Sequence, residues 1–304
     1  MKGGMDLHLH LDGSLSAEFI LEQGRKQNVA LPAKDVDSLK PYLSVSADCK
    51  DLNEYLEKFD LPGSVLQNKE GITEAVKDLC ERLHAQGLVY AEIRFAPQLH
   101  TKKGLNQEEI VQAAIDGLRY NMKLILCCMR MENNEKENME TIRLTKKYLG
   151  KGVVASDLAG AEALYPTVCF EKVFEYATSL EVPFTIHAGE AAGPESIWKA
   201  LELGAKRIGH GVRCLEDEKL VQYLKEHRIP LEVCLTSNIQ TRAVDGIHPI
   251  KRLLEEGLCV TLNTDNMTVS DTTLKQEFAL AREKYGISEE EINELMENAK
   301  YARF

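Results

Sequence analysis

The stretch Met5-Asp6-Leu7-His8-Leu9-His10-Leu11-Asp12-Gly13 decides how the rest of the chain is read. Its outer residues look like a strand, and period-two alternation puts His8 and His10 on one face. Two imidazoles side by side at a strand end can grip one divalent metal. A metal site needs further donors, so the reading turns on what stands at the ends of the later apolar runs.

Eight short apolar runs recur, with segments of helical spacing between them. The runs are Met5 to Leu9, Val89 to Phe95, Lys123 to Met129, Val153 to Asp157, Pro183 to His187, Arg207 to His210, Leu231 to Leu235 and Cys259 to Asn263. Apolar residues at i, i+3 and i+4 predict helices over Ile72 to Gln86, Gln107 to Tyr120, Met139 to Tyr148, Phe170 to Leu180 and Asp217 to His227. Gly87, Gly150, Gly204 and Gly257 fit helix ends. This alternation predicts an α/β fold with a parallel sheet, and eight repeats favour closure into a (β/α)8 TIM barrel. An open doubly wound sheet is the alternative, weakened because no glycine-rich dinucleotide fingerprint follows any run. The insertion from Ser14 to Gly71 exceeds a simple crossover and is expected to carry extra helices over the barrel mouth. No linker divides the chain, so residues 1–304 are expected to form a single barrel domain. Two further helices are expected after the eighth run, over Thr273 to Tyr285 and Ser288 to Tyr301.

With 304 residues, 44% of them hydrophobic, the chain can bury a substantial core, which excludes a disordered protein. The net charge of −11 argues against a nucleic-acid backbone or an anionic membrane as partner and leaves a neutral small molecule open. The eight cysteines form no CxxC pair and no zinc-finger spacing. Cys127 and Cys128 are adjacent and would face opposite ways on a strand. Reduced, buried thiols in a reducing compartment are the expectation. With no leader segment and no apolar run near ~20 residues, a cytoplasmic location is expected.

In a barrel of this kind functional groups gather at the C-terminal ends of the strands. The first run ends in His8 and His10, and the fifth in His187, within Phe184-Thr185-Ile186-His187-Ala188-Gly189-Glu190. The sixth carries His210 between Gly209 and Gly211, and the eighth leads to Asp265, within Leu262-Asn263-Thr264-Asp265-Asn266. A lone histidine of this sort is more often structural. Four histidines and an aspartate at four strand ends are brought to one rim by the fold. Three imidazoles and a carboxylate suit a borderline divalent ion, most simply one Zn²⁺, with a position left for a reactive water. Glu190, at a strand-to-helix turn, can face a substrate without binding the metal, or can simply favour a helix N-terminus. The glycines beside His210 allow a substrate close approach. Asp12 reads either as a helix-start residue or as a ligand contact, and Gly160 as a turn or a backbone contact.

These residues resemble the adenosine deaminase family, within the amidohydrolase-type metal-dependent barrels. The resemblance rests on His8-Leu9-His10-Leu11-Asp12-Gly13-Ser14-Leu15, Ser156-Asp157-Leu158-Ala159-Gly160, His187-Ala188-Gly189-Glu190, Arg207-Ile208-Gly209-His210-Gly211 and Leu262-Asn263-Thr264-Asp265. It covers essentially the whole chain, and the five motifs stand in the family's order. It implies a zinc held by His8, His10, His187 and Asp265, with Glu190 and His210 as catalytic residues. Glu190 would protonate N1 of the purine, and His210 would orient or deprotonate the water that attacks C6. Asp12, Gly160, Asn266 and His10 would contact the nucleoside: Asp12 a ribose hydroxyl, Gly160 N3 of the base and Asn266 N7. Asp157 would support the metal ligands from behind, and Tyr55, Leu56 and Phe59 would form an apolar lid. Asn266 departs from the commonest pattern, in which a second aspartate follows the metal ligand; its amide can still donate to N7. The family also implies a longer C-terminal end than this chain carries.

The implied reaction is hydrolytic deamination of adenosine, and of 2′-deoxyadenosine, in purine salvage. Asp12 favours a nucleoside, because related adenine deaminases more often carry Ile-Glu-Gly at Leu11-Asp12-Gly13. The alternatives are a deaminase of adenine or of a modified adenosine, and a silent binding relative. A phosphoester or nucleotide substrate is disfavoured by the lack of a basic cluster near the motifs.

Overall fold

The computed structural model describes residues 3–46 and 48–304. Gly4–His10 forms strand β1, followed by β2 (Leu88–Phe95), β3 (Met122–Arg130) and β4 (Val153–Gly160). Four shorter strands complete the set: β5 (Thr185–Ala188), β6 (Arg207–His210), β7 (Leu231–Val233) and β8 (Val260–Leu262). All pairings are parallel, in the orders β1-β2-β3-β4 and β5-β6-β7-β8. Backbone hydrogen bonds sew the two sheets together at both seams. The Ser156 N–H donates to Pro183 O (3.0 Å), the His10 N–H to Asp265 O (2.7 Å) and the Asp265 N–H to His8 O (2.8 Å). The sheet is therefore a ring, and the fold is the expected (β/α)8 barrel. Among the described residues no strand presents an open edge of the kind a doubly wound sheet would leave.

The seventh run was expected to reach Leu235, but the chain leaves the sheet at Val233 and turns into a helix, Leu235–Gln240. Both halves of that run are buried, and burial alone makes a continuous apolar stretch that fits strand and helix equally. The helices between strands are well punctuated. Ser288 and Glu291 form a reciprocal capping box on Glu289–Ala302, and Asn68 caps Lys69–Ala85 through the Gly71 N–H. The insertion supplies helices Ala17–Gln27, Val36–Leu43, Leu52–Leu56 and Asp60–Ser64, of which the third and fourth lie at the barrel mouth.

At the opposite end the helix Glu289–Ala302 packs Ala299 and Ala302 against Leu7 and Tyr90. Inside the barrel runs a buried ionic network. Glu232 on β7 pairs with Arg94 of β2 (2.9 Å) and Arg207 of β6 (2.6 Å), Arg94 reaches Asp157 of β4 (2.9 Å), and Arg207 reaches Glu92 of β2 (2.6 Å). Seven of the eight cysteines are buried and none is bridged. Among the described residues no helix is long and apolar enough to cross a membrane.

Candidate active site

Strand ends place His8 and His10 of β1, His187 of β5 and Asp265 just beyond β8 around one point. One donor atom from each lies within 4.8 Å of all the others. His10 Nε2 stands 3.2 Å from His187 Nε2, and Asp265 Oδ1 is 3.4 Å from both His8 Nε2 and His10 Nε2. Donors about 2.0–2.1 Å from a tetrahedral zinc lie roughly 3.3–3.4 Å apart, so the spacing fits such an ion. Two of the rings are aimed by carboxylates. His8 Nδ1–H donates to Glu232 (2.7 Å) and His187 Nδ1–H to Asp157 (3.0 Å), which leaves the Nε2 lone pairs facing the cluster. His8 Nε2 is buried with no hydrogen-bond partner. A buried acceptor of this kind is costly unless something binds it, and a cation meets the need.

The electrostatics agree with ligation. Burial holds His187 below the usual imidazole range, and burial together with the neighbouring His187 holds His10 well below it, so both rings are neutral. Burial would raise Asp265, but the neighbouring His8, His210 and His10 keep its carboxyl well below the usual range. The backbone accepts a cost to aim these groups. His210 (φ 62°) and Asp265 (φ 60°) both occupy the left-handed region, which residues with side chains rarely adopt and which clusters at functional sites.

Beside the four donors lies a cavity of about 270 Å³. Its polar groups include Asp12, Glu190, His210 and Asn266, and its apolar walls include Ala96, Cys127, Met129, Ala159, Tyr55, Leu56 and Phe59. Gly160 also lines it, at φ 111°, where a side chain would be strained and would crowd Met129 (3.3 Å). The residues singled out from the sequence thus reach this cavity or the donor cluster, except Asp157, which stands behind His187. Asp12 lies in the first turn of a short 3-10 helix, Asp12–Ser14, and burial raises its carboxyl to about 6. Ser16, rather than Asp12, caps the helix Ala17–Gln27. Asn266 Oδ1 is buried without a partner, and its side chain fills the space a Gly13 side chain would need.

Glu190 accepts a hydrogen bond from Thr241 Oγ1 (3.0 Å) and faces His210 Nε2 at 3.5 Å. Burial pushes its carboxyl up to about 8, reinforced by the charges of Asp265 and Glu162 and opposed by the Thr241 hydrogen bond. This environment favours the protonated carboxyl, the form that can donate. Glu162 holds the loop behind it by accepting from the backbone N–H groups of Gly189 (2.9 Å), Glu190 (3.1 Å), Ala191 (2.7 Å) and Ala192 (3.0 Å). Sequence reasoning missed Glu162, Glu232, Thr241 and Asn238, the last 2.9 Å from His210 Nδ1. The one signal was a lone acidic residue inside or just after an apolar run, as Glu162 follows Gly160 and Glu232 interrupts Leu231-Glu232-Val233.

The family model described as adenosine deaminase matches residues 4–304. An adenosine deaminase from Haemophilus ducreyi is 51% identical over 315 residues, covering 99% of this chain and 92% of that protein. Among solved structures, adenine deaminase from Arthrobacter aurescens superposes with a TM-score of 0.90 at 28% identity, covering 100% of this chain and 94% of that one. The Arabidopsis N6-mAMP deaminase superposes with a TM-score of 0.86 at 28% identity, covering 99% and 93%.

Proposed function

The chain belongs to the adenosine deaminase family, and from that membership we propose that it hydrolyses adenosine, and 2′-deoxyadenosine, to the corresponding inosine and ammonia. Residues 1–304 act as one barrel domain, in the cytoplasm and in purine salvage. The observation that carries the reading is the convergence of four metal donors with a buried Glu190 on the wall of one cavity.

His8, His10, His187 and Asp265 would hold a single Zn²⁺, whose contribution when bound is Lewis acidity that makes water a competent nucleophile near neutral pH. Glu190 gives its proton to N1 of the purine, which draws electron density from C6 and opens it to attack. His210, across from Glu190, faces the attacking water. As the tetrahedral C6 adduct collapses, one proton of the water passes to the amine, which leaves as ammonia, and the other returns to Glu190, so that adenosine and water become inosine and ammonia. The apolar walls take the purine ring, with Gly160 beside N3 and Asn266 beside N7. His10 lies within contact of the nucleoside, and Asp12 takes a ribose hydroxyl.

Two related structures act on other substrates by their names, adenine and N6-mAMP. The cavity supports the nucleoside reading. Asp12 offers a carboxylate for ribose, while Asp12 and Asp60 line the cavity without a lysine to meet a phosphate. Among the described residues Arg130 is the one arginine or lysine lining it, and it already donates to Tyr165 O, Thr167 Oγ1 and His187 O. The test is an absorbance assay for adenosine, 2′-deoxyadenosine, adenine and N6-methyl-AMP, with and without a chelator. Adenosine should be turned over fastest and the chelator should stop it. A strong preference for adenine would overturn the nucleoside assignment, and chelator-resistant turnover would overturn the metal.

A further inference from the structure

We propose that Asn238 and His248 are positioning residues that lock His210 into a single tautomer, with its proton on Nε2 and therefore pointing into the cavity. The inference rests on the reading of His210 as a group that acts on the water and says in which form it acts.

The argument starts from two backbone N–H groups, which can only donate. The Ile250 N–H donates to His248 Nδ1 (3.1 Å), so in the neutral ring the proton sits on Nε2. Burial holds His248 down at about 3, which keeps it neutral. Its Nε2–H then donates to Asn238 Oδ1 (3.2 Å), and the Cys234 N–H converges on the same oxygen (3.3 Å). Two donors on one atom settle the amide orientation, so the other end of Asn238 is the NH₂ group. Asn238 Nδ2 lies 2.9 Å from His210 Nδ1 and must donate to it. His210 Nδ1 is thereby an acceptor, and the neutral ring carries its hydrogen on Nε2, 3.5 Å from Glu190 Oε2.

All three side chains are 1% exposed or less, so water does not blur the polarity of this relay. A proton on Nδ1 would point at the Asn238 NH₂, and turning the amide would break its bonds to Cys234 and His248. In this form His210 presents an N–H to the water oxygen and orients it by donation. Of the two roles the family resemblance leaves open for His210, the relay selects the first.

The test is the tautomer itself. Nitrogen-15 histidine NMR of the zinc-loaded protein, without substrate, should show His210 with a protonated Nε2 and a bare Nδ1; the reverse pattern or an even mixture overturns the proposal. This readout is independent of which purine is consumed, so it separates failure of the relay from failure of the substrate assignment, which would show as wild-type protein releasing no ammonia. Asn238→Asp keeps the shape but can only accept. It should move the proton to Nδ1 and lower kcat by about 10²-fold or more with KM nearly unchanged, as a wrong histidine tautomer does elsewhere. An unaltered tautomer or kcat in a folded Asn238→Asp protein overturns it. His248→Gln retains a donor and an acceptor and should keep kcat within a few-fold. His248→Phe has neither and should lower kcat by about tenfold; equal activity in the two variants removes His248 from the relay.

Discussion

The two halves of the barrel are built to different lengths and do different work. Strands β1 to β4 run for seven, eight, nine and eight residues, whereas β5 to β8 run for four, four, three and three. The long half ends in a smooth apolar wall of Ala96, Cys127, Met129 and Ala159. The short half breaks off early into turns, and there His187, Glu190, His210 and Asp265 emerge, two of them with positive φ. Long strands give a rigid surface on which a flat ring can lie. Short strands bring the chain ends close to the barrel axis, where side chains from different strands can meet. β1 crosses this division by lending His8 and His10 to the donor cluster.

The largest effect should follow from breaking the polar half. Asp265→Ala should abolish metal content and turnover while circular dichroism stays unchanged, and chelation of the wild type should do the same, reversed by added zinc. Retained turnover in the metal-free protein would remove the premise of the comparison. Glu190→Gln leaves the donors in place and removes one proton, so metal content should stay at one per chain while kcat falls by about 10²–10⁴-fold. Steady-state kinetics beside metal analysis distinguishes the two.

The next largest effect tests what joins the halves. Glu232 on β7 accepts from His8 of β1, Arg94 of β2, Arg207 of β6 and Thr185 of β5, all fully buried or nearly so. Glu232→Gln would leave two buried guanidinium groups short of charge, at about 3–5 kcal/mol of folding stability. It would also free the His8 ring and weaken zinc binding by roughly 10–100-fold. Denaturant unfolding and a zinc titration read the two losses; if only stability falls, the network supports the barrel without tuning the ion.

The strand ends were legible in the sequence because strand ends in a barrel converge, so a histidine or aspartate closing an apolar run carries its address with it. Strand ends brought His8, His10, His187, His210 and Asp265 to one rim; which of them would hold an ion came only from the family resemblance. The supporting groups were illegible for the opposite reason. Glu162 sits in a loop and acts on N–H groups 27 to 30 residues away, and Glu232 reads as an isolated flaw in a short strand. What defines them is a partner on another strand, and a single sequence does not record partners. The seventh run shows the same limit on the fold itself, since a buried apolar stretch hides where a strand stops and a helix begins.

The smallest effects sharpen the contrast between wall and chemistry. Met129→Ala should raise KM for adenosine by about tenfold through lost apolar contact while leaving kcat nearly unchanged, the signature of a surface that binds without reacting. Thr241→Val should leave KM unchanged and move the pH profile instead. Glu190 must be protonated to serve N1, so kcat/KM holds at lower pH and falls as the pH rises through its raised pKa, near 8. The Thr241 hydroxyl stabilises the ionised form, so removing it favours the protonated one. The alkaline limb should move to higher pH by less than about one unit, with the apolar wall and KM untouched. A limb that moves down, or that survives unchanged in Glu190→Gln, would assign the titration to some other group and leave the proton on N1 without a source.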